Sequence, residues 1–292
     1  MDSRITVRFY VADATEIDQP SFGAALQQLL DADEAKLEQK VDDVLIRAGQ
    51  LEKNGDRISG DLIRLQSDNL PSLVEGKNKP KKLTLPNNGS LGHHAAFVYD
   101  ASIQMLAFQT TRSSVSLTRF NLFLAAVCGC KPFGFYPVIK AAELKQLNSI
   151  SPKKLMIRIA DPHKLDVVED YQRELRDSLV NLRELADGLY VQVTIGLGRK
   201  RGELDKPKLR KFIGWMLSER ESSRKRVRQV KVIGKDASEE DVPLDFIKAQ
   251  LGEEENLDLS RGDPEDKYKK RLKFLEKSLD KNMKQLKEFG KG

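Results

Sequence analysis

Between positions 199 and 231 the chain carries 13 Lys or Arg against 4 Asp or Glu, a local excess of positive charge suited to contact with phosphate. The segment opens with a glycine-flanked run, residues 196–202, that leaves an alternating apolar stretch and enters a helical one. At such a junction backbone N–H groups and the side chains of Arg199, Lys200 and Arg201 can meet an anion together. In the helix that follows, Leu209, Phe212, Ile213, Met216 and Leu217 mark the buried face, which puts Lys208, Lys211 and Trp215 on the opposite flank. Arg220, Arg224, Lys225, Arg226, Arg228 and Lys231 complete the series. An exposed Trp215 would stack on a base or sugar. The plainer account of the same residues is a solvated helix face with Trp215 packed at a domain contact. Nothing in the segment is a device for reading base edges, so the expectation is backbone contact that tolerates any sequence.

Other chemistry finds less support. The glycines around Arg199 lack the Gly-Lys-Ser/Thr ending of a triphosphate loop and the spacing of a dinucleotide fingerprint. His93, His94 and His163 with Cys128 and Cys130 do not form two spaced ligand pairs, so neither a metal nor a cofactor is expected. No nucleophile elbow or zinc-protease signature occurs, and no catalytic residue is assigned, although spacing alone does not settle a triad or a carboxylate pair. Cys128 and Cys130 are too close for an ordinary bridge to each other, which points to a reducing, cytoplasmic compartment. No apolar run approaches the roughly 20 residues of a membrane span, and the first residues lead straight into a strand pattern without a secretory signal.

The elements that must position these residues follow from periodicity. Hydrophobic residues at 39% and charged residues at 32% suit a globular chain with a heavily charged surface. Ile5, Val7, Phe9 and Val11 alternate with polar residues as in a half-buried strand, and a helix is expected over 20–30. Strands over 44–51 and 58–65 flank an Asn54-Gly55 turn, and a polar loop over 75–90 follows. Two more strands, over 95–99 and 104–109, precede an apolar helix capped by Ser114 or Ser116 and a strand near 135–139. Beyond a boundary near 147–153, strands over 155–159, 189–197 and 227–233 alternate with helices over 167–186 and 206–217. The fold class is α+β: two mixed α/β domains, 1–150 and 151–292, the second ending in a long helix over 264–289.

Charge is sorted into blocks. Residues 236–266 hold 12 acids against 2 bases, and they read as a soluble face or as a competitor for the basic surface. In the final helix Leu272, Leu275, Leu279, Asn282 and Leu286 recur at spacings of three and four, a seam of coiled-coil type with a polar Asn. It serves either to form a homodimer or to dock on its own domain.

Three segments resemble the RexA phage-exclusion family and, more distantly, the DNA-binding KwaB family of the Kiwa defence system. They are residues 95–100 with the strand and helix that follow, the strand over 189–197 ending in basic residues, and residues 226–236 before the acidic block. The resemblance implies a two-domain dimeric DNA-binding protein of phage exclusion or antiphage defence. It points to Arg199, Lys200, Arg201, Arg226, Arg228 and Lys231 as DNA contacts. The leading expectation is thus a non-enzymatic, sequence-tolerant DNA-binding protein, homodimeric, with a partner protein of a defence system and no membrane insertion. The alternatives are a metal-dependent nuclease or toxin with an unidentified acidic site, and a protein-interaction scaffold.

Overall fold

The computed structural model describes residues 3–14, 18–74, 76, 79–86, 89–111, 113–160, 162–165, 170–185, 190–198, 201–222 and 227–289. The first strand, β1 (Ser3–Asp13), buries side chains on both of its faces: Ile5, Val7 and Phe9 on one, Tyr10 and Ala12 on the other. A strand buried on both sides needs helices above and below it. On one side lies α1 (Phe22–Leu30), whose cap is Ser21, its hydroxyl accepting the Ala24 N–H. The chain then runs antiparallel through β2 (Glu38–Val41), β3 (Val44–Asn54) and β4 (Arg57–Gln66). The expected tight turn is present but sits one residue later. Asn54 pairs with Arg57, and Gly55 is the first of the two turn residues, at φ 59°.

The polar stretch after β4 contains a short ladder, β5 (Ser72–Leu73) with β6 (Lys81–Lys82). Two long strands return to the sheet, β7 (Leu91–Asp100) and β8 (Met105–Thr110). Next comes α2 (Leu117–Cys128), capped by Ser116 rather than Ser114 and closed by Gly129 at φ 64°. Its Leu117, Phe120, Phe123 and Leu124 pack with Phe22, Phe97 and Phe108 in one core cluster. Each fully buried side chain of this kind contributes roughly 1.5–3 kcal/mol relative to exposure. β9 (Gly134–Pro137) pairs with the far half of β1.

A second unit begins with α3 (Ala141–Ser149) and β10 (Ser151–Ile159). It continues through α4 (Asp170–Leu185), β11 (Val191–Gly196), α5 (Lys206–Ser222), β12 (Val227–Lys235) and β13 (Asp241–Asp245). Its sheet has the order β11-β10-β12-β13, with every neighbour antiparallel. Among the described residues the helices pack on one face only, where Leu155, Ile157, Val230, Val232, Leu179, Leu209 and Ile213 share a core.

The chain then goes back to where it started. β14 (Gly252–Leu257) pairs with β1 at the edge of the first sheet, and α6 (Pro264–Phe289) covers that sheet's second face. The first sheet therefore has the order β14-β1-β8-β7-β4-β3-β2. The chain leaves the first sheet after Pro137 and returns to it with residues 252–289. The architecture is mixed α+β with a long terminal helix, and no helix among the described residues is long and apolar enough to cross a membrane.

The terminal seam is filled in cis. Leu275, Leu279 and Leu286 are fully buried against Ile5, Val7, Phe9, Val98 and Met105, with Leu272 partly buried beside them. Asn282 donates to Glu253 Oε1 at 2.9 Å and to the Ser278 carbonyl. These residues do not present a dimer seam, because the apolar face of β1, β7 and β8 already takes them up.

Candidate nucleic-acid interface

The predicted basic cluster is divided by the fold. Arg199, Lys200, Arg224, Lys225 and Arg226 lie outside the described residues. Lys208 and Lys211 are exposed on α5, which covers the core side of the second sheet. Trp215 shares their flank by helical spacing but is not exposed with them. It is 5% exposed and meets Phe212 edge to face at 5.8 Å. The reason is that α5 packs on two partners, the second sheet and the β9 region, where Gly214 lies against Tyr136. A helix held on two sides buries a wider stripe than simple amphipathic spacing implies. Trp215 is therefore not a stacking surface for a base.

Lys231 points the other way. In the pairing register, Leu155, Ile157, Val230 and Val232 face the helices, so the intervening residues form an open face. One row across it reads Thr194, Met156, Lys231 and Asp245, and another Gln192, Arg158 and Gln229. A third row reads Gly196, Lys154, Ile233 and Pro243. Lys154, Arg158 and Lys231 thus stand on two adjacent strands. On the open face of β11, β10 and β12 no carboxylate falls in these rows, and neither Lys154 nor Lys231 has an ion-pair partner among the described residues. Exposed Arg228 is the extra residue of a β-bulge, since Arg158 pairs with Gln229 while Ile159 pairs with Val227.

Arg158 is held by its neighbours. Its Nε and Nη2 donate to Gln192 Oε1 at 3.0 and 2.6 Å, and its guanidinium carbon sits 5.1 Å from the ring centre of half-exposed Tyr190. A guanidinium fixed over a ring and held by an amide has the geometry that suits a phosphate oxygen, with an aromatic surface next to it. Arg201, also exposed, belongs to a loop tied to the start of β10. There Lys153 Nζ donates to the Gly202 carbonyl and Leu204 N donates to the Pro152 carbonyl.

The acidic block divides as well. Asp245 and Asp241 lie on β13, opposite Lys231 and Lys235, so the positive field leans toward β10 and β11. Glu253, Glu254 and Glu255 belong to the other sheet, where Lys281, Arg4 and Lys277 pair with them. Lys154 and Arg158 are cations of this face that charge counting over 199–231 misses. Their signal was the alternation of 154–159, in which each Leu or Ile of the core side implies a residue on the open side.

Elsewhere, Cys128 and Cys130 are free and half buried. Burial, with the neighbouring Cys130 second, pushes the Cys128 thiol up to about 11. Among the described residues no three His, Cys, Asp or Glu side chains converge as a metal-ligand set.

No curated protein matches the chain. A family model spans residues 27–287, from α1 through α6, and on that match the chain belongs to the family of unknown function DUF6731.

Proposed function

We propose that this chain is a sequence-tolerant DNA-binding protein and that the open face of its second sheet is the contact surface. The observation that carries this is the convergence of Lys154, Arg158 and Lys231 on one uncovered face, with Tyr190 and Gln192 beside them. Cations neutralise backbone phosphates, amides and hydroxyls donate to phosphate oxygens, and the tyrosine ring supplies a stacking platform that suits any base. Specificity for sequence is not part of the proposal, since no side chain here forms a base-reading pair. The biological role, sensor or effector in phage exclusion or antiphage defence, rests on the resemblance of three segments to the RexA family.

The test compares two charge-reversal variants in a fluorescence-anisotropy assay with duplexes of unrelated sequence. Lys154→Glu/Arg158→Glu/Lys231→Glu should weaken binding to all of them at least about tenfold, while Lys208→Glu/Lys211→Glu on the opposite side should leave affinity within about twofold. Unchanged binding by the triple variant would remove the open face from consideration.

A further inference from the structure

The two large sheets end in β14 and β2 on one side and in β11 and β13 on the other, and three of these edges are guarded. β14 carries Glu253, Glu254 and Glu255, β2 carries Glu38 and Lys40, and β13 carries Asp241 and Asp245 with Pro243 between them. Charge and proline are devices that keep an edge from recruiting a further strand. β11 has neither. From Val191 to Gly196 it holds no charged residue and no proline, in a chain that is 32% charged. Among the described residues it pairs on one side only, with β10, so a row of its backbone N–H and C=O groups faces outward.

The apolar layer also runs out at this edge. In the register with β10, Val191, Val193 and Ile195 lie on the core side beside Ile159, Ile157 and Leu155. Val191 is buried and Val193 half buried, but Ile195 is exposed. α4, which packs against β11, shows the same loss of cover. Along it Gln172 and Leu179 are buried and Leu175 is half buried, at spacings of three and four. The next step of that stripe, Leu182, is 53% exposed, and Leu185 in the last turn is 86% exposed. Of the seven large apolar side chains exposed among the described residues, Leu182, Leu185, Tyr190 and Ile195 belong to this one edge.

We infer that β11 pairs antiparallel with β11 of a second copy of the chain, about a twofold axis at Val193. Such an axis sets like near like, so it suits a strand without charge; at β14 it would bring two runs of three carboxylates together. Side chains alternate, so core side meets core side only when the axis falls at a residue, and Val193 is the choice that uses the whole strand. Val191 then stands opposite Ile195 of the second copy, and Gln192 opposite Thr194. Four residues separate Leu185 from Tyr190, which keeps the last turn of α4 near the start of β11. The axis therefore carries the exposed Ile195 of each copy toward the α4 end of the other, on the side where Leu182 is uncovered. The patch complements itself, and that favours a second copy over a peptide of another protein. The pairing would join two sheets into one and set their open faces side by side. It stands on the edge strand and the apolar ledge and does not rest on the DNA-binding reading.

The experiment is sedimentation equilibrium of the full chain without nucleic acid. A monomer–dimer equilibrium in the micromolar range is expected. Ile195→Glu and Leu182→Glu each put a charge into the apolar contact and should raise the dimer dissociation constant at least about tenfold, while Val74→Glu, exposed elsewhere, should leave it within about twofold. Both side chains are exposed in the single chain, so circular dichroism should show the two variants folded. Val193→Cys, made with Cys128→Ser and Cys130→Ser, tests the register without adding charge. Residues directly opposite across an antiparallel pair stand roughly 4.5–5.5 Å apart, within reach of a disulfide, so a mild oxidant should link this variant to a second copy and link Thr194→Cys far less. A wild-type chain that stays monomeric, a dimer that survives both charged variants, or a Val193→Cys chain that fails to link would each overturn the proposal.

Discussion

At the scale of single residues, the most exacting arrangement lies between the first sheet and α6. Asp61, 2% exposed, accepts from Arg271 Nη2 at 2.9 Å and from His94 Nδ1 at 2.6 Å through the same oxygen, Oδ2. Burial lowers the Arg271 guanidinium, and the Asp61 charge only partly offsets this. A buried pair of this kind is costly to break from one side, because the buried Asp61 charge would be left with only the His94 imidazole beside it. Arg271→Leu should therefore destabilise the chain by roughly 3–5 kcal/mol in urea unfolding, and the double replacement Asp61→Leu/Arg271→Leu should recover much of that loss. Glu253 supplies the acid-sensitive contact of the same helix. Burial pushes its carboxyl up, but bonds from Asn282 and Lys281 and the charges of Lys281 and Lys140 outweigh this, and the net shift is below the ordinary 4.5. A carboxylate depressed in the folded state stabilises it above the unfolded value, and that contribution fades as pH falls through the folded value. Melting temperature should thus drop on acidification below about pH 4.5, and Glu253→Gln should flatten that limb of the profile.

At the scale of elements, every helix except α3 (Ala141–Ser149) was legible through its own spacing, whereas its partner was not. The leucines of α6 repeat as a seam whichever surface receives them, and only the uncovered Ile5, Val7 and Phe9 of β1 decide for docking in cis. α5 was readable as amphipathic, yet Trp215 turned inward because a second surface near Tyr136 lies against the helix, a long-range fact that local periodicity does not contain. β14 was hidden in an acidic run. Glu253, Glu254 and Glu255 look like a solvated segment until Arg4, Lys277 and Lys281 arrive from β1 and α6 to pair with them. β10 was the opposite case, since alternating Leu155, Ile157 and Ile159 already implied Lys154 and Arg158 on the other face. The buried Trp215 makes a spectroscopic prediction, because it is the chain's single tryptophan. Its emission should be blue-shifted, resist iodide quenching and stay unchanged when DNA is added. Quenching by DNA would place it at the interface after all.

At the scale of the molecule, the chain forms two large sheets, besides the short β5–β6 ladder, joined by crossings in both directions. Val138 N donates to the Phe9 carbonyl, Leu251 N to the Val138 carbonyl and Lys140 N to the Ala249 carbonyl, each within 2.9 Å. The outgoing and returning strands are stitched together where the two units meet. Among the described residues helices cover both faces of the first sheet and one face of the second, which leaves a broad surface of the second sheet uncovered, and Lys154, Arg158 and Lys231 lie there. The most direct measurement of that surface's role is the slope of log Kobs against log salt concentration for duplex DNA. Three neutralised phosphates predict a slope of roughly −2 to −3 for the wild-type chain, collapsing toward zero in Lys154→Glu/Arg158→Glu/Lys231→Glu. A slope that is the same in both proteins would contradict the account.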